Sequence, residues 1–261
     1  MKSRQEIKLL AKGGFSAQYG TGVLLSFLVM LFMVGVPAIL LASTMSGLVS
    51  GMMTTNSVDV SVALGGMGLV TSLISTVVSF VSVVLAVNMA GAYVKLYVKE
   101  QASAGEPFSQ LPVNFWRKLG GSLWMGLFIW LWSLLFIIPG IVKVYAYRMA
   151  PYILARHPEV SATEALNLSK RMTKGNKGKL FVMDLSFIGW FLLTGLTFGI
   201  LGIFYVDPYY YTTSAGFFVE IRDTSLANGV VSYEELGMQD PRHAHVQPQF
   251  DPTMPPPPPM N

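Results

Sequence analysis

The chain has 261 residues, 52% of them hydrophobic and only 12% charged, whereas soluble domains carry about 25% charged residues. That balance makes a bilayer the expected solvent, and the absence of cysteine excludes disulfides, thiolate catalysis and Cys-type zinc sites. A net charge of +4 would raise nucleic-acid binding in a soluble protein, but here the placement of the charges matters more, and no nucleic-acid partner is expected.

In chain order, Ser3 and Glu6 have the spacing of a capping box. Ile7, Leu10 and Ala11 follow on one face among basic residues, which predicts a short interfacial helix over about 4–12. A bilayer core about 30 Å thick needs roughly 20 apolar residues in a helix. Val23 to Thr44 meets this, as do Gly68 to Tyr93 (interrupted by Asn88), Leu119 to Ile138, and Leu180 to Tyr205, whose only charge is Asp184. Two shorter segments complete a set of six: Ile141 to Ala155, with Lys143 and Arg148, and Tyr209 to Ile221, with Glu220. Ala42 and Ser43 are small enough for a cleavage site, but the first apolar run is too long for a usual signal peptide and reads as an anchor.

Basic residues set the orientation. No Lys or Arg lies between Met45 and Met67, at Pro139 to Gly140 or at Asp207 to Pro208. Six crossings with both termini inside therefore put all eighteen basic residues except Lys143 and Arg148 in the cytoplasm. The fold class expected is all-α, a polytopic bundle of about six transmembrane helices with both termini cytoplasmic. The alternative is four or five spans, with Ile141 to Ala155 re-entrant or interfacial.

Ser161 and Glu164 form a second capping box. It predicts an amphipathic helix over about 162–174, with Ala162, Ala165, Leu166, Ser169 and Met172 on one face and Gly175 placed to cap the end. Lys170, Arg171, Lys174, Lys177 and Lys179 are the candidate contacts to anionic lipid headgroups. The glycine-lysine segment there lacks the GxxxxGK[ST] pattern of a Walker loop, so nucleotide binding is rejected.

Ionisable groups at membrane depth are costly and need an explanation. Arg148 and Asp184 both fall in the cytoplasmic half of the bilayer and are expected to pair. Lys143 is expected to snorkel to the outer headgroups, with Asp207 in the same layer as an allowed partner. Glu220 closes the last span at the cytoplasmic face, and Asn88 makes an interhelical hydrogen bond. Gly195, Gly199 and Gly202 make a small-residue stripe, as do Gly47 and Gly51, suited to close helix approach within the bundle or between protomers. Trp124 and Tyr209 to Tyr211 read as belt aromatics, Trp130 and Trp132 as packed. From Asp223 a disordered cytoplasmic tail is expected, with a polyproline II segment at Pro255 to Pro259. His243 and His245 are too weak a pair to imply a metal, and neither metal nor cofactor is expected.

The segments LWSLLFIIPGIVKVYAYRMAPYILA (Leu131 to Ala155), SATEALNLSKRMTKGNKGKLF (Ser161 to Phe181), DLSFIGW (Asp184 to Trp190) and DPYYYTTSAGFF (Asp207 to Phe218) closely resemble the bacterial integral membrane family called domain of unknown function 975. A weaker similarity is to the membrane domain found beside glycerophosphodiesterases, without its catalytic domain. The first resemblance implies a multi-spanning protein with no established activity. No HExxH, GxSxG or paired intramembrane carboxylates argue for an enzyme. The expected function is therefore non-enzymatic organisation or sensing of the membrane or a membrane complex through the basic face. A small permease or export component using Asp184, Arg148 and Asn88 is the alternative. Expected partners are membrane lipids with anionic headgroups, and a second copy of the chain or another membrane protein.

Overall fold

A computed structural model describes residues 1–35, 38, 42, 45–46, 49, 58–135 and 137–240, and every regular element among them is helical. The distal half of the first apolar run, Gly47 to Gly51, His243, His245 and the proline run lie largely or wholly outside the described residues.

Helix α1 (Arg4–Ala17) starts at a complete capping box: the Glu6 amide donates to Ser3 Oγ at 3.3 Å, and the Ser3 amide donates to Glu6 Oε2 at 2.7 Å. It extends past the expected end at residue 12. Its buried stripe of Ile7, Ala11, Gly14 and Phe15 is taken up by protein, chiefly the last helix and the long helix α3 (Val58–Val98). Contact with α3 is close: a methyl group on Gly14 would sit 2.2 Å from the Leu96 carbonyl oxygen. The chain bends at Gln18, whose side-chain amide donates to the Glu100 carbonyl (2.7 Å) and accepts from the Ala102 amide (2.9 Å). Helix α2 (Tyr19–Met30) follows and continues as a π-helical turn, Leu31–Gly35.

Helix α3 (Val58–Val98) is longer than the run that announced it, because Val58 to Met67, expected in an outer loop, is already helical. After the short α4 (Glu106–Ser109), α5 (Phe115–Leu135) and α6 (Ile137–Tyr147) form a tight hairpin. Pro139 and Gly140, expected between two spans, already lie in the first turn of α6. Proline is tolerated in the first helical turn, where its missing N–H has no intrahelical acceptor. Gly140 lets the two helices touch, since a methyl there would lie 2.9 Å from Ser133 Cα.

Two apolar runs prove to be interrupted. Ile141 to Ala155 is split at Arg148 and Met149 into α6 and α7 (Ala150–Arg156), where Pro151 removes a ladder hydrogen bond. Leu180 to Tyr205 is split into α9 (Lys177–Leu185), α10 (Ile188–Leu196) and a reversal at Thr197 to Leu201, with Phe198 (φ 51°) and Gly199 (φ 86°) left-handed. The chain returns through a π-helical turn, Gly202–Val206, into α11 (Asp207–Ala227). Hydropathy cannot register a turn whose residues are themselves apolar.

Between these lies α8 (Ala162–Met172), whose N-cap Ser161 accepts from the Glu164 amide at 3.3 Å. It buries Ala165, Leu166, Leu168, Ser169 and Met172 against α5, α6 and α7, so its apolar face is occupied by protein. Gly175 follows its end with φ 82°.

Among the described residues, two helical stretches are long and apolar enough to cross a membrane, Val70–Val98 and Lys177–Leu196, and Tyr19–Met30 is a shorter apolar helix. Only 22% and 17% of the two long windows is buried within the fold, which distinguishes them from the core helices of a soluble protein. Helix α10 buries none of its residues. Trp130, expected to be packed, is 62% exposed, alongside Leu134, Ile138, Leu192 and Leu196.

The fold does not stop at residue 223. Helix α11 continues to Ala227, and the following turns bury Val231 and Leu236 in the main core. Arg171 holds this segment, ion-paired with Glu235 at 2.5 Å and donating to the Val230 carbonyl. The expected tail boundary was too early because two isolated apolar residues in a polar stretch carry no periodic signal.

Candidate functional site

The break between α6 and α7 builds a polar point inside the bundle. With the helix ladder interrupted, the Met149 amide and the Ala146 carbonyl need other partners. Both find Ser169 of α8: its hydroxyl accepts from the Met149 amide (3.1 Å) and donates to the Ala146 carbonyl (2.8 Å), which Thr173 Oγ1 also reaches at 3.2 Å. Arg148, held at this break, extends toward Asp184 near the end of α9.

The pair is bidentate. Arg148 Nη1 donates to Asp184 Oδ2 at 2.5 Å and Nη2 to Oδ1 at 2.8 Å. Tyr145 donates to Asp184 Oδ2 (2.8 Å) and Tyr210 to Oδ1 (2.9 Å), while Arg148 Nη2 also reaches the Tyr210 and Ser214 hydroxyls. Each carboxylate oxygen thus accepts two hydrogen bonds, and the side chains are only 14% and 26% exposed. This is the satisfied network that a mostly buried ion pair requires.

Above the pair opens a cavity of about 690 Å³. Val29, Met30, Ala86, Met89, Ala90, Met125, Ile129 and Val144 supply apolar walls, and Arg148, Asp184, Asp207, Tyr210 and Ser214 a polar floor. Tyr211, which stacks on Tyr93 at 5.1 Å between centroids, completes it. The three consecutive tyrosines are therefore interior residues: Tyr209 packs on Phe187, Tyr210 joins the ion pair and Tyr211 lines the cavity.

The other expected residues are dispersed. Lys143 lies over the Trp132 ring at 4.6 Å and within electrostatic reach of Lys170 and Lys177. It forms no ion pair with Asp207 among the described residues. Asp207 follows the π-helical turn directly into α11, within continuous helical backbone, and lines the main cavity. Glu220 accepts from the Lys2 amide (3.0 Å) and ammonium (2.6 Å), tying the N-terminus to α11. Asn88 lies in a separate polar pocket, bonded to Lys118 and to the Pro107 carbonyl. The three residues of the expected polar path thus line two different cavities. Of the headgroup candidates, Lys170, Lys174 and Lys179 are exposed and Lys177 is half-buried, whereas Arg171 is engaged with Glu235. Gly195, Gly199 and Gly202 form no stripe. The first two face open space, and only Gly202 packs closely, against Thr194.

Outside the bundle interior, Arg117 caps the C-terminal end of α7 and the loop after it, donating to the carbonyls of Leu154 (2.6 Å), His157 (3.2 Å) and Val160. His157 beside it is buried among Arg117, Arg156 and Arg222, and burial with these positive neighbours pushes its imidazole down to about 4. No cluster of three or more metal-ligating side chains occurs among the described residues.

Tyr145, Tyr210, Ser214, Ser169, Arg117 and Lys118 were missed from the sequence as site residues. Tyr145 precedes Arg148 by three residues, and Tyr210 precedes Ser214 by four. That spacing puts each pair on one helical face and was the available signal.

No curated protein and no solved structure matches the chain significantly. Residues 136–225, the segment that carries the whole Arg148–Asp184 network, match the family model described as Protein of unknown function (DUF975).

Proposed function

We propose that the protein is a multi-pass, non-enzymatic membrane protein that binds a lipid-like amphiphile in the cavity above Arg148 and Asp184, and thereby senses or organises the bacterial cytoplasmic membrane around it. One observation carries the reading: a cavity of about 690 Å³ with aliphatic and methionine walls and a charged, hydroxyl-rich floor. Its volume falls within the roughly 300–1,000 Å³ of small-molecule sites. An apolar chain fits the walls, and a polar head meets the tyrosine and serine hydroxyls.

The charge of the floor narrows the class of head. Arg148 and Asp184 neutralise each other, and Asp207 adds a carboxylate with no ion-pair partner among the described residues. A neutral, zwitterionic or cationic head suits this floor better than a bare anion. In the proposed arrangement six crossings leave both termini and the basic loops in the cytoplasm, where Lys170, Lys174, Lys177 and Lys179 meet anionic headgroups. A permease reading is less well supported, because Asn88 does not share a cavity with Arg148 and Asp184.

The test is to purify the full chain in mild detergent and analyse the co-purifying molecules by native mass spectrometry. Ala90→Phe, which places a ring in the cavity, serves as the comparison. A bound amphiphile retained by the wild type and lost from a folded Ala90→Phe variant supports the reading. Wild-type protein that carries none and takes up none from added lipid overturns it.

A further inference from the structure

A second cavity lies apart from the first, between α3, the α4 loop, the start of α5 and the end of α7. It encloses about 220 Å³ and is predominantly polar, lined by Asn88, Lys95, Glu106, Gln110, Lys118 and Arg156. The unusual member is Lys118. It is only 3% exposed, yet its ammonium contacts neutral acceptors alone, Asn88 Oδ1 at 2.6 Å and the Gln110 carbonyl at 3.1 Å. No carboxylate forms an ion pair with it among the described residues. An ammonium has three N–H donors, so one remains without an acceptor beside the cavity. A buried cation without a counter-ion is costly unless something else supplies the charge.

The remaining charges do not cancel it. Lys95 is matched by Glu106 at 2.5 Å inside the pocket, and Arg156 reaches Glu100 at 3.4 Å through a partly exposed contact. Arg117, within electrostatic reach of Lys118, adds further positive potential. The two carboxylates offset Lys95 and Arg156, which leaves Lys118 as the uncompensated charge.

We infer that this pocket is a binding site for a small oxyanion of the phosphate class, with the buried Lys118 ammonium as its centre and Arg156 at its mouth. The chemistry is that of a phosphate monoester or diester, free or as the headgroup of an anionic phospholipid. A pocket of about 220 Å³ admits the phosphate and a small substituent but no acyl chain, so a lipid would present only its head. The site is independent of the amphiphile cavity and selects the opposite charge.

The full chain in detergent is titrated with inorganic phosphate and with glycerol 3-phosphate at constant ionic strength, reading thermal unfolding, with chloride as control. In parallel, the chain is placed in nanodiscs of phosphatidylcholine with or without phosphatidylglycerol. Lys118→Met and Arg156→Gln are the variants, with Lys174→Met as the surface control. Loss of one charge-assisted hydrogen bond predicts binding at least about tenfold weaker in Lys118→Met. Arg156→Gln, at the partly exposed mouth, keeps the question open to measurement if Lys118→Met fails to fold. A saturable rise in unfolding temperature with free phosphate, lost in the pocket variants and kept in Lys174→Met, identifies a soluble oxyanion. A rise only with phosphatidylglycerol, with the same variant pattern, identifies the headgroup. A response equal to chloride in both arms, or one unchanged in the folded pocket variants, overturns the proposal.

Discussion

Replacing Asp184 with Asn tests whether the bundle depends on its interior ion pair. The substitution preserves shape and leaves Arg148 its bonds to Tyr210 and Ser214 at 2.8 and 3.3 Å, but it removes the counter-charge and turns one accepting oxygen into a donor facing the guanidinium. Breaking a fully buried pair costs about 3–5 kcal/mol, whereas an exposed pair contributes about 0–1 kcal/mol. With the two side chains 14% and 26% exposed, and with two hydroxyl partners left to Arg148, a loss of about 2 kcal/mol is expected. For a chain of this length that corresponds to about 4–8 °C in the unfolding temperature, read by tryptophan fluorescence in one detergent. The double variant with Arg148→Gln should lose less than the sum of the single changes, because each single change strands a partner. An Asp184→Asn protein that unfolds within about 1 °C of the wild type, together with additive single and double variants, would refute the account.

Acid should loosen the end of the fold built around His157. Its folded value, about 4, lies below the ordinary 6.5, so the unfolded chain takes up the proton first. The associated stability is complete above about pH 6.5 and is lost as pH falls toward 4, by up to about 3 kcal/mol. His157→Gln should flatten that part of the stability profile, and an unchanged profile would show that another group governs it. Gly14→Ala should destabilise by about 1–3 kcal/mol, since the new methyl meets the Leu96 carbonyl oxygen at 2.2 Å; thermal unfolding of the variant measures it. Glu235→Gln, which breaks an exposed pair with Arg171, should cost under about 1 kcal/mol while accelerating amide exchange over residues 230–238. Unchanged exchange there would mean that Val231 and Leu236 hold the segment by themselves.

The amino-acid sequence by itself determined the all-helical character, the apolar runs, both N-caps and the identity of the costly charges. Each of these is a local property: a count of apolar residues, a Ser/Glu spacing, an ionisable group inside an apolar run. It also carried the family resemblance, in the stretch from Leu131 to Phe218. The tertiary structure decided where those runs break, because the changes of direction from α5 to α6, at Arg148 and Met149, and at Thr197 to Leu201 involve residues as apolar as their neighbours or are stabilised by a distant helix. Ser169 illustrates the point. On sequence it is one small residue on an amphipathic face, whereas in the fold its hydroxyl holds open the helix break from which Arg148 reaches Asp184. The separation of Asn88 from that pair, and the burial of Lys118 among neutral acceptors, likewise depend on which helices lie side by side. Hydropathy and spacing along the chain carry no information about that.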